Sequence, residues 1–510
     1  MMRSLVPAFL VLAACSSERG GDTLDYYLSS DPRSLDPAFS TDVQTGEVVP
    51  MVFDNLTQFD IEGRLLPGLA SSWETDSSGR TYTFHLRPGI TFHDGSPLTA
   101  RTVRASFLRV LSLAGKGSRT WMLTPISGAQ QFMEGKADDV AGLRVADDST
   151  LVITLEEPLN VFPKYLAMPA AAIVPERIPP DFAERPVGSG PWRLVAWSHD
   201  DALVLARHES YWGGPPLADT IRIRIIPEAL TQAAEYEAGQ LDVVEVPFSE
   251  TARWTEQHAN ELKRRPALRA VYVAINTTRG PLSDVRVRRA LNLAVDVPTM
   301  LRTVMGGRGV PAAGAIPPGL QGYDSTRAPY PHDPAQARAL LTEAGFGKGV
   351  SLTLWRTQRA ELARIAQSLQ QSLGAVGITV TIVERDPASA RAASTKGEAD
   401  LFLTDWYADY PDPESFNYST FHSRNRGGGG NRAFLSDPVM DSLIMVARRT
   451  TDDAEKTRLS REIDQRVFDA APWVFLWFPM DLWAASPEIE GWNVSAIFNG
   501  QRWREVRRIR

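Results

Sequence analysis

The sequence predicts an α/β protein built of two or three lobes. Its 510 residues are more than one hydrophobic core usually supports. Residues 350–406 alternate between strand-like and helix-like segments in the order βαβαβ, which predicts parallel pairing through right-handed crossovers. Hydrophobic residues at 43% and charged residues at 23% are ordinary for a globular protein, so the core can be large.

The βαβαβ block is defined by the spacing of its apolar residues. Its predicted strands are residues 350–355, 378–383 and 400–406. Its first helix has apolar residues at helical spacing, namely Leu362, Ile365, Ala366, Leu369 and Leu373. A second helix is predicted near residues 389–396. The order of these segments is what predicts the parallel sheet.

The rest of the chain has shorter strand patterns separated by turns rich in proline and glycine. The predicted strands are residues 81–86, 151–155, 203–205, 221–226, 241–246 and 473–478. A helix is predicted at residues 102–113, and a charged helix follows residue 451.

The first residues predict export from the cytoplasm. Arg3 precedes an apolar run at residues 5–12 and the tetrapeptide LAAC that ends at Cys15. This is the order of a secretory signal, and the run is too short to span a bilayer as a mature helix. The position of Cys15 resembles the lipobox of bacterial lipoproteins, in which that cysteine is lipidated. The alternative is an ordinary signal peptide in which Cys15 is only a small apolar residue.

Several function classes lack support in the sequence. The net charge of −7 and the absence of a basic stripe argue against nucleic acid as a partner. No HExxH, GxSxG, Walker A or GxGxxG pattern occurs, and the seven histidines lack ligand spacing. With Cys15 the only cysteine, disulfides and cysteine-type zinc sites are excluded. We therefore expect neither an enzyme nor a bound metal or cofactor.

Five segments, in order along the chain, resemble the signature of family 5 extracellular solute-binding proteins. They are residues 70–111, 186–194 (PVGSGPWRL), 239–242 (GQLD), 284–296 (DVRVRRALNLAVD) and 405–413 (DWYADYPDP). This family includes the dipeptide- and oligopeptide-binding lipoproteins of ABC importers. The resemblance covers essentially the whole chain after the signal segment.

The resemblance implies a two-lobed fold like that of periplasmic binding proteins (type II, cluster C-like), with an extra domain inserted in lobe I. The expected boundaries are residues 1–14 for the signal peptide, 15–23 for a lipidated tether, 24–52, 185–268 and 478–510 for lobe I, 53–184 for the extra domain, and 269–477 for lobe II. The βαβαβ block then falls inside lobe II.

The resemblance also implies where a ligand would bind. In peptide-binding relatives, the aspartate of the Ala-Asp-Tyr segment holds the α-ammonium group, and that position is Asp409 here. The alternative is that Asp409 only caps the turn that follows, which is also the role expected of Asp412 between its two prolines. Trp406 and Tyr407 could wall a side-chain pocket or belong to the core.

For the ligand carboxylate, dipeptide-binding relatives use an arginine after the strand at residues 350–355. Arg356 and Arg359 are the two candidates, and either could instead be a solvated surface charge. Asn276 matches an Asn-Thr pair near the hinge, where it could bind ligand or terminate its strand. His422 lies near the same cleft, but one histidine is a poor metal site.

Together these features predict a lipid-anchored solute-binding protein that captures short peptides in an interlobe cleft and delivers them to an ABC permease in the inner membrane. We expect a monomer in the periplasm or at the cell surface. The alternative is the same fold with another solute: a nickel chelate, haem, an oligosaccharide or an amino-acid conjugate.

Overall fold

The computed structural model of the protein describes residues 22–509. The predicted signal segment and Cys15 therefore lie outside the described residues. Within residues 22–509, no helix combines the length and the apolar composition that crossing a membrane requires.

The described strands are β1 Thr23–Leu28, β2 Thr57–Phe59, β3 Leu65–Pro67, β4 Ala70–Thr75, β5 Thr81–Leu86, β6 Leu143–Asp147, β7 Thr150–Thr154, β8 Trp192–Ser198, β9 Ala202–Arg207, β10 Thr220–Ile225, β11 Val243–Glu245, β12 Leu262–Pro266, β13 Arg269–Ile275, β14 Gly309–Pro311, β15 Val350–Thr357, β16 Ile378–Arg385, β17 Leu401–Tyr407, β18 Trp473–Ala485, β19 Ile489–Glu490 and β20 Arg507–Arg508. The described α-helices are α1 Val43–Val52, α2 Ala100–Ser112, α3 Ala129–Met133, α4 Phe162–Tyr165, α5 Ala229–Glu237, α6 Thr251–Gln257, α7 Val285–Ala294, α8 Val297–Val304, α9 Pro334–Glu343, α10 Ala360–Gly374, α11 Pro387–Thr395, α12 Glu414–Phe416, α13 Pro438–Arg449 and α14 Asp453–Ala470.

The predicted βαβαβ block forms the parallel part of the lobe II sheet. Strand β15 pairs in parallel with β16 on one side and with β17 on the other. The parallel pairing predicted from the sequence is therefore confirmed. Because β15 and β17 are parallel neighbours, their carboxyl ends meet at one edge of the sheet, where open α/β sheets bind ligands.

Among the described residues, four sheets share the strands outside the eight-stranded lobe II sheet: two four-stranded sheets and the two-stranded sheets β2-β3 and β19-β20. One four-stranded sheet has the order β1-β10-β9-β8 and lies in the segments expected for lobe I. A second four-stranded sheet, β4-β5-β7-β6, lies wholly within residues 53–184, the segment expected for the extra domain. Each of these two four-stranded sheets is covered by its own cluster of buried apolar side chains. The lobe II sheet has one such cluster on each face.

Strand β18 connects the two lobes. Its first half pairs with β13 and β14 of lobe II, and its second half pairs with β11 and β12 of lobe I. Thirteen residues of continuous strand thus belong to both lobes, and β12 leads directly into β13 beside it. Strands β12, β13 and β18 are the hinge strands, in the sense that they run from one lobe into the other.

Two of the family-like segments, residues 70–111 and residues 186–194, are in contact at His93. The N–H of Gly188 donates to His93 Nδ1 at 3.3 Å, and His93 Nε2 lies 3.0 Å from the carbonyl oxygen of Gly190. These contacts fit the neutral ring with its proton on Nε2. Glycine is required at both positions because a Cβ at Gly188 would lie 1.9 Å from Val52 O and one at Gly190 2.6 Å from Met51 O.

This arrangement predicts acid sensitivity. Burial lowers the pKa of His93 to about 4, against about 6.5 in an unfolded chain. The folded state therefore binds fewer protons, so stability is complete above pH 6.5 and falls as the pH drops toward 4. We expect His93→Gln to flatten the pH dependence of the unfolding free energy over that interval, whereas His332→Gln, at a half-exposed ring, should not. Equal slopes for wild type and His93→Gln would contradict this account.

Candidate functional site

The loop after β17 carries the predicted ammonium-binding residue. Asp409 is 32% exposed, and its carboxylate faces Arg119 of the extra domain, whose Nη2 lies 3.6 Å away. The backbone N–H of Asp409 donates to Ser415 Oγ at 3.0 Å, which fixes the turn without using the carboxylate. Burial raises the pKa of Asp409, and the charge of Arg119 works against that rise. The carboxylate thus lies in a gap between lobe II and the extra domain.

Asp412 has a larger role than the turn expected from its flanking prolines. Its side chain is completely buried, and Oδ2 accepts from Lys164 Nζ at 2.7 Å and from Lys456 Nζ at 2.6 Å. The other oxygen does make the turn, because Oδ1 accepts from the N–H of Glu414 at 3.0 Å. Burial works to raise the pKa of Asp412, but the two ammonium groups hold it below its ordinary value. One carboxylate therefore joins lobe II to the extra domain.

Tyr410 and Glu414 extend this contact. The Tyr410 ring is buried in the apolar cluster of the extra domain, 5.1 Å from the Tyr165 ring between centroids, and its hydroxyl donates to Glu414. Arg448 Nε lies 2.7 Å from Glu414 Oε1. Asn160 of the extra domain also donates to the carbonyl oxygen of Ala447 at 3.0 Å. The loop after β17 is thus docked on the extra domain by both apolar and charged contacts.

The two aromatic residues at the end of β17 differ in accessibility. Trp406 is half-buried, and its Nε1 donates to the carbonyl oxygen of Ser415 at 2.9 Å, so the ring is held by the lobe II core. Tyr407 is 54% exposed. The guanidinium of Arg269 lies over one face of the ring, 5.0 Å from its centroid.

The two predicted arginines are placed differently. Arg356 belongs to β15, which is two residues longer than predicted, and its guanidinium pairs with Glu384, its register partner on β16. With 12% of its side chain exposed, Arg356 is committed to this ion pair, and the structure does not favour it as a ligand carboxylate site. Arg359 is 44% exposed, with Nη1 3.5 Å from Asp405 Oδ2. Arg269 holds the same carboxylate at 2.5 Å.

Asn276 lies away from this loop, at the end of β13. It is 3% exposed, and its Nδ2 donates to the carbonyl oxygens of Gly397 at 3.1 Å and Ala399 at 3.4 Å. Its Oδ1 accepts from the hydroxyl of Thr278 at 2.7 Å. With both ends of the amide used by the protein, the geometry favours strand termination over ligand contact.

His422 is also used by the protein. It is 4% exposed, and its Nδ1 accepts from the N–H of Arg424 at 3.1 Å. Burial lowers its pKa. Among the described residues, no group of three or more potential ligands from His, Cys, Asp and Glu could hold a metal ion.

Lobe I contributes acidic groups near the hinge. Glu245 lies at the end of β11, where desolvation raises the pKa of its carboxyl to about 7, with the charge of Asp481 of β18 adding to the rise. The hydroxyl of Tyr27 accepts from the N–H of Glu245 at 3.1 Å. These acidic side chains could not be assigned from the sequence, because nothing local distinguishes them from other strand ends.

The comparisons with known proteins agree with this architecture. Residues 64–428 match the sequence model described as bacterial extracellular solute-binding proteins, family 5 Middle. The glutathione-binding protein GsiB of Pectobacterium atrosepticum is 30% identical over 475 residues, which cover 90% of this chain and 89% of that protein. The GsiB of Escherichia coli O1:K1 is 30% identical over 461 residues, 88% of this chain and 87% of that protein.

Solved structures show the same fold. HbpA2 of Haemophilus parasuis aligns with a TM-score of 0.83 at 24% identity, covering 95% of this chain and 99% of that one. DppA of Helicobacter pylori, in complex with the peptide STSA, aligns with a TM-score of 0.79 at 24% identity, covering 96% and 98%. The chain therefore belongs to the family 5 bacterial extracellular solute-binding proteins, the periplasmic binding components of ABC importers.

Proposed function

We propose that the protein captures short peptides and related solutes with a free amino terminus, in the gap between lobe II and lobe I with its extra domain. The carboxylate of Asp409 carries this proposal. It follows the carboxyl end of a parallel strand, and Arg119 at 3.6 Å is too distant for a hydrogen bond. A partly buried carboxylate suits a ligand ammonium group, because a cation offsets the cost of its desolvation.

We assign the opposite end of the ligand to Arg359. This arginine lies two residues beyond β15, as Asp409 lies two residues beyond β17, and its guanidinium can hold a carboxylate by two hydrogen bonds. Neighbouring strands are about 4.8 Å apart, and a fully extended dipeptide spans about 7 Å. These dimensions support a short zwitterion, with the exposed part of Tyr407 available to ligand side chains. The proposed role is capture and delivery, with no catalysis.

Arg119 favours a second candidate ligand class, in which the amine lies beside a carboxylate. When a ligand ammonium group takes Asp409, the Arg119 guanidinium loses its acidic neighbour and faces a like charge. A carboxylate on the carbon that bears the amine would restore the balance. Glutathione has such a head in its γ-linked glutamate, and the curated relatives are named as glutathione-binding proteins.

A binding panel tests the proposed function. Calorimetry and thermal unfolding are measured with α-linked di- and tripeptides, glutathione, N-acetylated peptides, nickel chelates, haem and oligosaccharides. We expect ligands with a free amine to bind saturably and to raise Tm with concentration, as mass action requires. Stabilisation by chelates, haem or sugars, with none by free-amine ligands, would contradict the proposal.

The same panel separates the two ligand classes. If the head is zwitterionic, Arg119→Ala should weaken binding of glutathione more than binding of α-linked peptides. Arg101→Ala, which removes an exposed arginine paired with Asp148 of the same domain, is the matched control. Equal losses for both ligand types in Arg119→Ala would favour ordinary α-peptides.

We further propose that a lipid on Cys15 anchors the protein in the periplasm or at the cell surface. This rests on the sequence of the first 15 residues, because Cys15 lies outside the described residues. Cys15→Ser should release the protein from membranes after signal cleavage, because no acyl chain remains to bind the bilayer. Membrane fractionation that finds the processed variant still pelleting would contradict the anchor.

A further inference from the structure

A basic groove crosses the boundary between the lobes beside the hinge strands. It encloses about 630 Å³, within the usual range of small-molecule sites. One wall is formed by lobe I, from Phe248, the helix α6 and Arg264 of β12. The other wall is formed by lobe II, from residues 302–304 and 306–308 and from Arg364 of α10. Four arginines and one glutamate line the groove, so its charge is strongly positive.

Arg308 lies at the base of this groove. Its side chain is 2% exposed, with Nη1 donating to the carbonyl oxygen of Val246 at 2.5 Å. Its Nη2 is buried without a hydrogen-bond acceptor, and the nearest carboxylate oxygen, of Glu245, is 3.6 Å away. A buried guanidinium with an unused donor is costly, and this guanidinium belongs to a residue that lines the groove.

The other three arginines are exposed and form no ion pair within the described residues, although the charge of Arg302 helps to lower the pKa of Asp296. Arg264 reaches only the hydroxyl of Thr255, at 3.5 Å, and Arg302 donates to the hydroxyl of Thr299 at 2.8 Å. Within residues 22–509, no carboxylate lies within 4 Å of Arg264, Arg302 or Arg364. By contrast, exposed arginines such as Arg458 are held by two glutamates. Glu256 in the lining and the charges of Glu245, Asp481 and Glu361 around Arg308 offset part of the positive charge, and the three exposed arginines add to it without an ion pair among the described residues.

We propose that the groove binds a small soluble anion with two or more negative charges, of the phosphate or polycarboxylate class, between Arg264 of lobe I and Arg302 and Arg364 of lobe II. Arginine suits both anions because its planar donors match phosphate and carboxylate oxygens. An anion held by both lobes opposes their separation, so it stabilises the arrangement in which the walls face each other. This binding is separate from capture of the transported solute and goes beyond the proposed function.

The experiment is calorimetric titration of the folded protein with inorganic phosphate and with citrate, at constant ionic strength and without peptide. The test variant is Arg302→Gln with Arg364→Gln, two exposed residues whose loss should not disturb the fold. The control is Arg101→Gln with Arg458→Gln, which removes the same charge from exposed arginines that do not line the groove. Melting temperatures of both variants verify folding.

We expect saturable binding that weakens by at least about tenfold in the groove variant and less than about twofold in the control. Whichever of phosphate and citrate binds more tightly shows whether the groove prefers phosphates or polycarboxylates. No saturable binding of either anion, or equal weakening in both variants, would overturn the proposal. Because no peptide is present, these outcomes are independent of the proposed function.

Discussion

Asp409→Asn is expected to weaken the binding of a short free-amine peptide by roughly 30- to 4,000-fold. The substitution leaves the ligand ammonium group in the gap beside Arg119 without its counter-charge, a loss that typically costs about 2 to 5 kcal/mol. The fold should survive, because the turn is held by the backbone N–H of Asp409, which the substitution keeps. Calorimetry gives the affinity, and the melting temperature without ligand verifies the fold.

The second half of this test measures the affinity for a peptide whose amine is blocked by acetylation. N-acetylated peptide should bind the wild type poorly, and Asp409→Asn should discriminate against it much less. Asp452→Asn, at an exposed helix cap where asparagine can cap equally well, is the charge-matched control. If the losses of affinity from acetylation and from Asp409→Asn simply add, Asp409 does not contact the ligand amine. Its role is then only to cap the turn that follows β17.

The second large effect is expected at Asp412. Asp412→Ala leaves the ammonium groups of Lys164 and Lys456 without their shared carboxylate, and breaking such a buried arrangement typically costs about 3 to 5 kcal/mol. We expect the unfolding free energy, measured by urea denaturation, to fall by that amount. Asp138→Ala removes an exposed acid and should change it by less than about 0.5 kcal/mol.

A variant with all three charged residues replaced identifies why Asp412→Ala loses stability. Replacing Asp412 by leucine together with Lys164 and Lys456 by methionine removes all three charges and keeps comparable volume, so most of the lost stability should return. If Asp412→Ala is as stable as Asp138→Ala, the buried ion pairs do not contribute. If the triple variant is no more stable than Asp412→Ala, the turn hydrogen bond to Glu414, and not charge, is the cause.

The periodicity of apolar residues is enough to predict the structure where that structure depends on neighbours along the chain. The alternation of residues 81–86 gave strand β5 with the bounds of the structure, and the βαβαβ order gave the parallel pairing of β15 with β16 and β17. Both depend on periodicity, which a single sequence displays.

The same periodicity does not predict side-chain contacts between residues that are far apart in the sequence. Asp412 was expected only to make a turn, because the flanking prolines are adjacent to it while Lys164 lies 248 residues away. The pairing of Arg356 with Glu384 depends on the register of β15 against β16, which periodicity does not determine. Arg119 had no motif that could relate it to Asp409, because the two meet only through the docking of one domain on another.

The pairing of β1 with β10 has a consequence for the order of synthesis. Strand β1 pairs with residues nearly two hundred positions later, and the lobe I core also needs Leu482, Trp503 and Val506 from the end of the chain. A polypeptide made from its amino terminus therefore cannot complete lobe I until residue 506 has left the ribosome. Lobe I, which begins first along the chain, is therefore completed after the segments that form the extra domain and lobe II.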